Sequence, residues 1–391
     1  MFAKLADEKY YRKFYFQDSF YAQCLDIDPM TMVHFDATVA SLKKIINEYP
    51  IFKTVDHVIA AGCGDSNIVG FGAKAAFEYY LPEVEYEAVE AIELSRHYTF
   101  GKEDYSNTLI TCVSYSGSIY RTLEAMEQCN RHGATTLGMT SNPDSNIAKK
   151  SDIYFNTSIP KGDNNAGNRT YCANLISMMV LAACIAEVKT GKEYIPELRE
   201  QIQKYHDEFM AELTQIDETA FKAAIHWMDK KYIECVGDGP MFWAGKFIQA
   251  KIMEVSGDAC SVVDSDYYMQ VNRYLKPANE YCALALINSN DSNTQSMADA
   301  VNDMMAQGRE VMLYSDKTPE ELGIENVTFY SRTPMPCKEF NFLAPIYSYL
   351  PGAFFSGFRH TTIGEPMFRG GFDSRIFIPT YFSAIEVPDI D

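Results

Sequence analysis

The segment Leu109-Ile-Thr-Cys-Val-Ser-Tyr-Ser-Gly-Ser-Ile-Tyr-Arg-Thr122 constrains this chain more than any other. An apolar run of strand length breaks into small hydroxyl residues around Gly117. The helical spacing of Leu123-Glu-Ala-Met-Glu127 follows directly. A strand that turns straight into a helix is the repeating unit of a parallel α/β sheet. The order places Ser114, Ser116, Ser118 and Thr122, with Tyr115 in the same loop, around a helix N-terminus. Unpaired backbone N–H groups and the positive end of the helix dipole favour an anion there. Gly117 permits a positive φ or a close backbone approach. The loop has no Lys and no GxxxxGK[ST] spacing, which excludes a nucleotide P-loop. A hydroxyl-lined cradle without a fixed cation suits a phosphate monoester such as a sugar phosphate.

Upstream, Val58-Ile-Ala-Ala-Gly-Cys-Gly-Asp-Ser66 is a second strand ending in a glycine turn, with Gly64 and Ser66 at the start of an Ala- and Phe-rich helix. Two such units put both loops on the carboxyl edge of one sheet, where open α/β folds bind ligands. Strand and helix patterns then alternate over Val58–Ala61, 68–80, 84–88, 109–114, 122–131, 134–140 and 153–156, and a long apolar helix spans 170–190. A charged stretch, 192–208, is read as the link to a second half. That half repeats the plan about 175 positions later, with Tyr232-Ile-Glu-Cys-Val-Gly-Asp-Gly-Pro240 as its first strand and turn. Strands are expected at 281–288, 310–315 and 326–330, with a helix over 297–305. The loop Asn288-Ser-Asn-Asp-Ser292 replaces the serine loop, and its carboxylate would repel a phosphate. The expected organisation is a helical lead-in over 1–50, a phosphate-binding domain over 51–200 and a second domain over 201–391, each a doubly wound parallel sheet flanked by helices.

The formal net charge is −19, from 34 basic and 53 acidic residues, and argues against nucleic acid, which needs a basic surface. An anionic substrate must therefore be held by local dipoles and hydroxyls against the overall field. No apolar run reads as long enough to span a bilayer, and no basic n-region with an apolar core opens the chain, so no membrane association is expected. The ten cysteines show no CxxC, and the seven histidines show no ligand spacing. Reduced, buried thiols in a cytoplasmic protein are expected, with no metal and no cofactor. Aromatic-rich terminal segments, among them Tyr10-Tyr-Arg-Lys-Phe-Tyr15, point to a homodimer or higher homo-oligomer.

The two turns together resemble the sugar isomerase (SIS) domain, as in the isomerase half of glucosamine-6-phosphate synthase. Its phosphate loop has the form Ser-x-Ser-Gly-x-x-x-[Asp/Glu/Arg]-Thr, which Ser114 to Thr122 matches, and Glu90-Ala-Ile-Glu93-Leu-Ser95 is similar to the segment after its second strand. The resemblance implies tandem SIS domains, a phosphate held by Gly64, Ser66 and the 114–122 loop, and an enzyme acting on a phosphorylated sugar.

Other roles follow from the resemblance. Ala250-Lys-Ile-Met-Glu-Val-Ser256 resembles the Lys-x-x-Glu-[Ile/Leu]-Ser segment whose Glu is the proton-transfer base, which assigns that role to Glu254. The ring-opening His of the synthases falls on Gln270, which can hold a hydroxyl but cannot exchange a proton near neutral pH. Asp266 is a neighbouring acid, and His360 and His97 are candidate replacements. Arg369, in Pro366-Met-Phe-Arg-Gly-Gly-Phe-Asp373, stands where the family has a sugar-contacting Lys, and an Arg fork suits a carboxylate or phosphate. Thr170, beside Arg169, opens a helix where the family contacts substrate. No Cys follows Met1, so a glutaminase half and free glutamine as donor are not expected. Two readings stand: an isomerase or fructosamine-6-phosphate deglycase, with the missing His favouring the deglycase, and a non-catalytic sugar-phosphate sensor.

Overall fold

The computed structural model describes residues 19–101, 104–160 and 166–363. They form two compact units, the first drawn mostly from residues 29–200 and the second mostly from residues 201–363.

In the first unit, strands β1 (His57–Gly62), β2 (Glu85–Glu90), β3 (Thr108–Val113), β4 (Thr135–Thr140) and β5 (Ile153–Asn156) make one sheet in the order β2-β1-β3-β4-β5. Every pairing is parallel. β1 and β3 are buried at every position, as continuous apolar runs must be when helices cover both faces of a sheet. The described helices of this unit begin with α1 (Ser19–Glu48), which contributes its later part, and α2 (Ile51–Thr54). α3 (Asp65–Tyr80), α4 (Ala91–Arg96), α5 (Tyr120–Arg131), α6 (Asn146–Lys150) and α7 (Arg169–Thr190) follow. Leu123, Met126 and Cys129 of α5 pack with Ile59, Ile110 and Cys112 of the sheet, one face of the helix at three-residue spacing. The strand order reverses direction between β1 and β3, whose last residues, Gly62 and Val113, pair. The loops that leave these two strands therefore stand side by side at the topological switch point.

α7 corrects the expectation that no run could span a bilayer. By length and composition it could do so, yet 89% of its most apolar window is buried inside the fold. Residues Tyr171 through Ala186 are all buried, so it is a core helix, apolar all round because it is covered all round.

The second unit repeats the topology. β6 (Tyr232–Gly237), β7 (Ala259–Val263), β8 (Tyr281–Ile287), β9 (Glu310–Ser315) and β10 (Phe329–Arg332) form a sheet in the order β10-β9-β8-β6-β7, again all parallel. Its helices include α8 (Ile195–His226), α9 (Pro240–Lys251), α10 (Ser265–Gln270), α11 (Thr294–Ala306) and α12 (Leu350–Ile363). The duplication reaches the backbone itself. Gly64 has φ 56° and ψ −128°, and Gly239, at the matching turn, has φ 53° and ψ −129°. Both lie where an L side chain is strained, which is why each turn keeps a glycine.

The second half departs in places from the elements expected of it. The boundary between the two units falls within 192–208, after Glu200, and from Ile195 that stretch belongs to the 32-residue helix α8. Its charges mask a stripe of buried residues, Leu198, Ile202, Tyr205, Phe209, Leu213 and Ile216, at three- and four-residue spacing. β7 was not expected at all: Ala259-Cys-Ser-Val-Val263 is short and only partly buried, and its parallel pairing with β6 decides its state. The last strand also lies later than expected, at Phe329–Arg332.

Asp217 of α8 is fully buried and accepts a 2.8 Å hydrogen bond from the Tyr21 hydroxyl. Burial, and to a lesser degree the Glu218 carboxylate, pushes its carboxyl up from 3.8 to about 8. Between those values the folded chain keeps a proton that the unfolded chain has lost. The contribution is therefore complete below pH 4 and lost as the pH rises through 8, on the order of several kcal/mol over that span. Asp217→Asn is expected to flatten the dependence of Tm on pH between 5 and 9 and to melt above the parent at pH 8. An unchanged pH profile in a thermal melt series would assign the proton elsewhere.

Candidate functional site

The switch-point crevice of the first unit is built from the Gly62–Ser66 turn and the Ser114–Ser118 loop. The loop is anchored from beneath. The Tyr115 carbonyl accepts from the Ser141 N–H at 2.9 Å, the Ser141 hydroxyl at 2.7 Å and the Thr140 hydroxyl at 3.0 Å. Gly117 closes a tight turn, its N–H donating to the Ser114 carbonyl at 2.9 Å, with φ +65°. A Cβ here would lie 2.2 Å from Ser145 Oγ and 2.7 Å from Thr140 Oγ1, so both conformation and space demand glycine.

Ser116 and Ser118 are exposed, with their hydroxyl oxygens 2.7 Å apart. Ser114 is buried, and its hydroxyl has no hydrogen-bond partner among the described residues. Such a group costs free energy unless something else bonds it. The N-cap of α5, Ile119, offers no side-chain cap to the first turn, and neither does Gly64 at the start of α3. Two helix N-termini with uncapped first turns thus open at one crevice. The buried Thr122 donates to Cys63 Sγ at 3.6 Å and ties the two loops together. Burial pushes the Cys63 thiol up, which keeps it protonated and poorly nucleophilic. The nearby guanidinium of Arg121 is engaged by the buried Glu124 carboxylate, which also accepts from Arg96 at 3.0 Å. The loop's capacity for an anion thus rests on hydroxyls and backbone N–H groups. Thr170 lies half-buried in the first turn of α7, and Arg169 donates to the Pro160 carbonyl at 3.0 Å.

In the second unit the same crevice has the opposite character. Asp238 follows β6 and accepts from the Ser265 N–H at 2.8 Å, the Ser265 hydroxyl at 2.7 Å and Asn293 Nδ2 at 2.5 Å. A Cβ on Gly239 would lie 2.9 Å from the Asp291 carboxylate. Asp264 and Asp266, with Phe242 and Trp243, complete a cleft of ≈ 350 Å³. Carboxylates fill the place of the serine loop, so a phosphate is disfavoured here.

Glu254 also belongs to the second unit. α9 ends at Lys251, and Ile252–Ser256 continues as a single π turn that Gly257 closes at φ 70°. π turns are rare and recur at functional sites. Lys251 is fully buried, and its ammonium lies 2.6 Å from Glu254 Oε2 and 4.8 Å from the centre of the Phe247 ring. Glu254 itself is 38% exposed, so the lysine holds the carboxylate from the protein side while the other side meets solvent. A partly desolvated carboxylate on a rigid turn can serve as a general base. Gln270 is the exposed last residue of α10, and Asp266 belongs to the acidic cleft. His360 is half-buried on α12, and His97 is exposed just past α4. Arg369 lies outside the described residues.

Two groups were not legible beforehand. His57, Glu85 and Glu87 bring ligand-type atoms within 4.8 Å of one another. They start at the opposite edge of the sheet from the crevice, and Glu87 already bonds His57 at 2.7 Å and Tyr98 at 2.8 Å. Asp258 and Arg359, which bind at the end of the π turn, lie 101 positions apart, and no local pattern links them.

Residues 51–184 match the family model described as the SIS domain. That segment is a SIS domain. The tandem SIS fold extends over both units. The C-terminal domain of glucosamine-fructose-6-phosphate aminotransferase from Francisella tularensis superposes with TM-score 0.78 at 17% identity, covering 89% of this chain and 96% of that one. Tagatose-6-phosphate ketose/aldose isomerase from Escherichia coli does so with TM-score 0.70 at 14% identity, covering 91% and 95%. At these identities the likeness is one of fold. Among curated sequences, the isomerizing glutamine–fructose-6-phosphate aminotransferase of Francisella tularensis is 19% identical over 69% of this chain. The matched region spans less than half of that relative's length, 44%. The family match covers the serine loop and the glycine turn, whereas Glu254 lies beyond it.

Proposed function

We propose that this SIS protein is an enzyme acting on a 6-phosphorylated ketosamine or amino sugar, as an aldose–ketose isomerase or a fructosamine-6-phosphate deglycase. The serine loop of the first unit carries the reading. Among the described residues it offers a buried unpartnered Ser114 hydroxyl, two exposed serine hydroxyls and an uncapped helix start at a fold's ligand-binding edge, and the neighbouring Arg121 guanidinium is already engaged by Glu124. Phosphorylated sugars are also what the named relatives act on, according to their descriptions.

Glu254 is assigned the base. In an isomerase its carboxylate takes the proton from the carbon beside the carbonyl, and the enediol regains a proton at the neighbouring carbon. With a fructosamine 6-phosphate the proton leaves C1 and one returns at C2, converting the ketosamine to an aldose imine. Water then adds to the imine carbon and the amine departs, leaving the aldose 6-phosphate. No redox change occurs, so neither route needs an external oxidant or reductant.

The test incubates the full chain in D2O with fructosamine 6-phosphates, with fructose 6-phosphate plus ammonia, and with glucosamine 6-phosphate. Proton and phosphorus NMR should show deuterium entering at C1 or C2, together with isomer or free amine. Sugar phosphates that bind without exchange or product from any of the three would replace the enzyme with a sensor.

A further inference from the structure

The π turn that carries Glu254 is held at both ends by one face of α12. At its start, the Lys251 carbonyl accepts from the buried Ser356 hydroxyl at 2.9 Å. At its end, Asp258 receives a two-pronged bond from Arg359, with Nε 3.0 Å from Oδ2 and Nη2 3.2 Å from Oδ1. The same guanidinium donates to the Trp227 carbonyl and, at 2.9 Å, to the Lys230 carbonyl just past α8. Inside the turn, Ser256 Oγ lies 2.9 Å from the Ile252 carbonyl and 2.7 Å from Asp258 Oδ2. Arg359 is 3% exposed, so its charge is matched in a dry setting by a carboxylate and carbonyls.

We infer that Arg359, acting through Asp258, is a positioning residue for Glu254; the inference rests on the reading of Glu254 as the base. A π turn holds one more residue than an α turn, and each residue of an α-helix rotates the next side chain by about 100°. Relaxation of residues 252–256 to α geometry would swing the Glu254 carboxylate around the helix and away from its place beside Lys251. An uncommon backbone persists only where its surroundings over-determine it. Ser356 and Arg359, three positions apart on one helix face, supply that constraint on either side of Glu254.

The test compares Asp258→Asn and Arg359→Lys with the parent full-length chain. Lysine keeps the charge but cannot form the fork. The expected result is a fall in kcat of about 10- to 100-fold with KM changed less than about threefold. Crystals of either variant should show the Glu254 carboxylate moved by about 1 Å or more. Added to Glu254→Asp, Asp258→Asn should lower kcat by less than about threefold further, because both act through one carboxylate. Should Arg359→Lys fail to fold, Ser356→Ala takes its place. A carboxylate that stays in position overturns the inference, whether or not turnover is measurable. So does an Asp258→Asn loss that is fully additive with Glu254→Asp, or one explained by the folded fraction. Full turnover by Glu254→Gln, with the carboxylate displaced in the Asp258 variant, instead removes the base assignment and leaves the positioning intact.

Discussion

Glu254→Gln is expected to lower kcat on the preferred phosphosugar by about a thousandfold while leaving sugar-phosphate affinity within about twofold. The amide keeps the size of the side chain and one acceptor oxygen for the buried Lys251 ammonium, 2.6 Å away in the parent. It cannot take up a proton near neutral pH, so the step that fails is proton abstraction, and binding of the phosphate should be unaffected. Calorimetry with a non-reacting sugar phosphate measures affinity, and deuterium exchange at C1 or C2 measures abstraction. Loss of both together would assign Glu254 to binding or to structure. Retention of both would remove it from the site.

The second large effect lies away from the site. Glu234 in the middle of β6 and Arg309 just before β9 are both fully buried and bonded at 2.5 Å. Asn272 Nδ2 also donates to Glu234, and the guanidinium lies 5.1 and 5.0 Å from the Tyr268 and Tyr281 ring centres. Burial pushes the Glu234 carboxyl up in spite of Arg309, so desolvation outweighs the attraction between the pair. Removing one partner leaves an uncompensated buried charge. Arg309→Met should therefore cost about 3–5 kcal/mol and lower Tm by on the order of 10 °C. Pairing it with Glu234→Leu should restore most of that loss, because neither charge then remains to be desolvated. Denaturant melts of the three variants decide the point. A double variant as unstable as the single one would mean that packing, and not the orphaned charge, sets the cost.

What was legible in the chain followed the range of the interactions involved. The serine loop and glycine turn could be read directly, because a strand, a tight turn and a helix start are consecutive residues whose conformations are set within a few positions. Gly117 and Gly64 have the backbone that their neighbours in sequence imply, and all five strands of the first sheet fall where apolar runs alternate with helical spacing. The register between halves, Gly64 against Gly239, was likewise visible as a repeated turn. The segment around Lys251 and Glu254 was recognisable by its residues, but its π geometry was not.

The misreadings share one cause. Charge along Lys192 to Glu208 outweighed a buried stripe that becomes apparent only over the 32 residues of α8. Ala259-Cys-Ser-Val-Val263 has too little pattern of its own to be a strand until β6 supplies the hydrogen bonds. The chain by itself determined the parallel α/β units, the hydroxyl cradle at a helix start and the acidic replacement of that cradle in the second half, all products of local propensity and residue chemistry. Tertiary structure alone decided the π turn beneath Glu254, the Arg359–Asp258 fork and the buried Glu234–Arg309 pair. Each depends on partners three-quarters of a hundred residues apart or more, brought together by packing that no local pattern encodes.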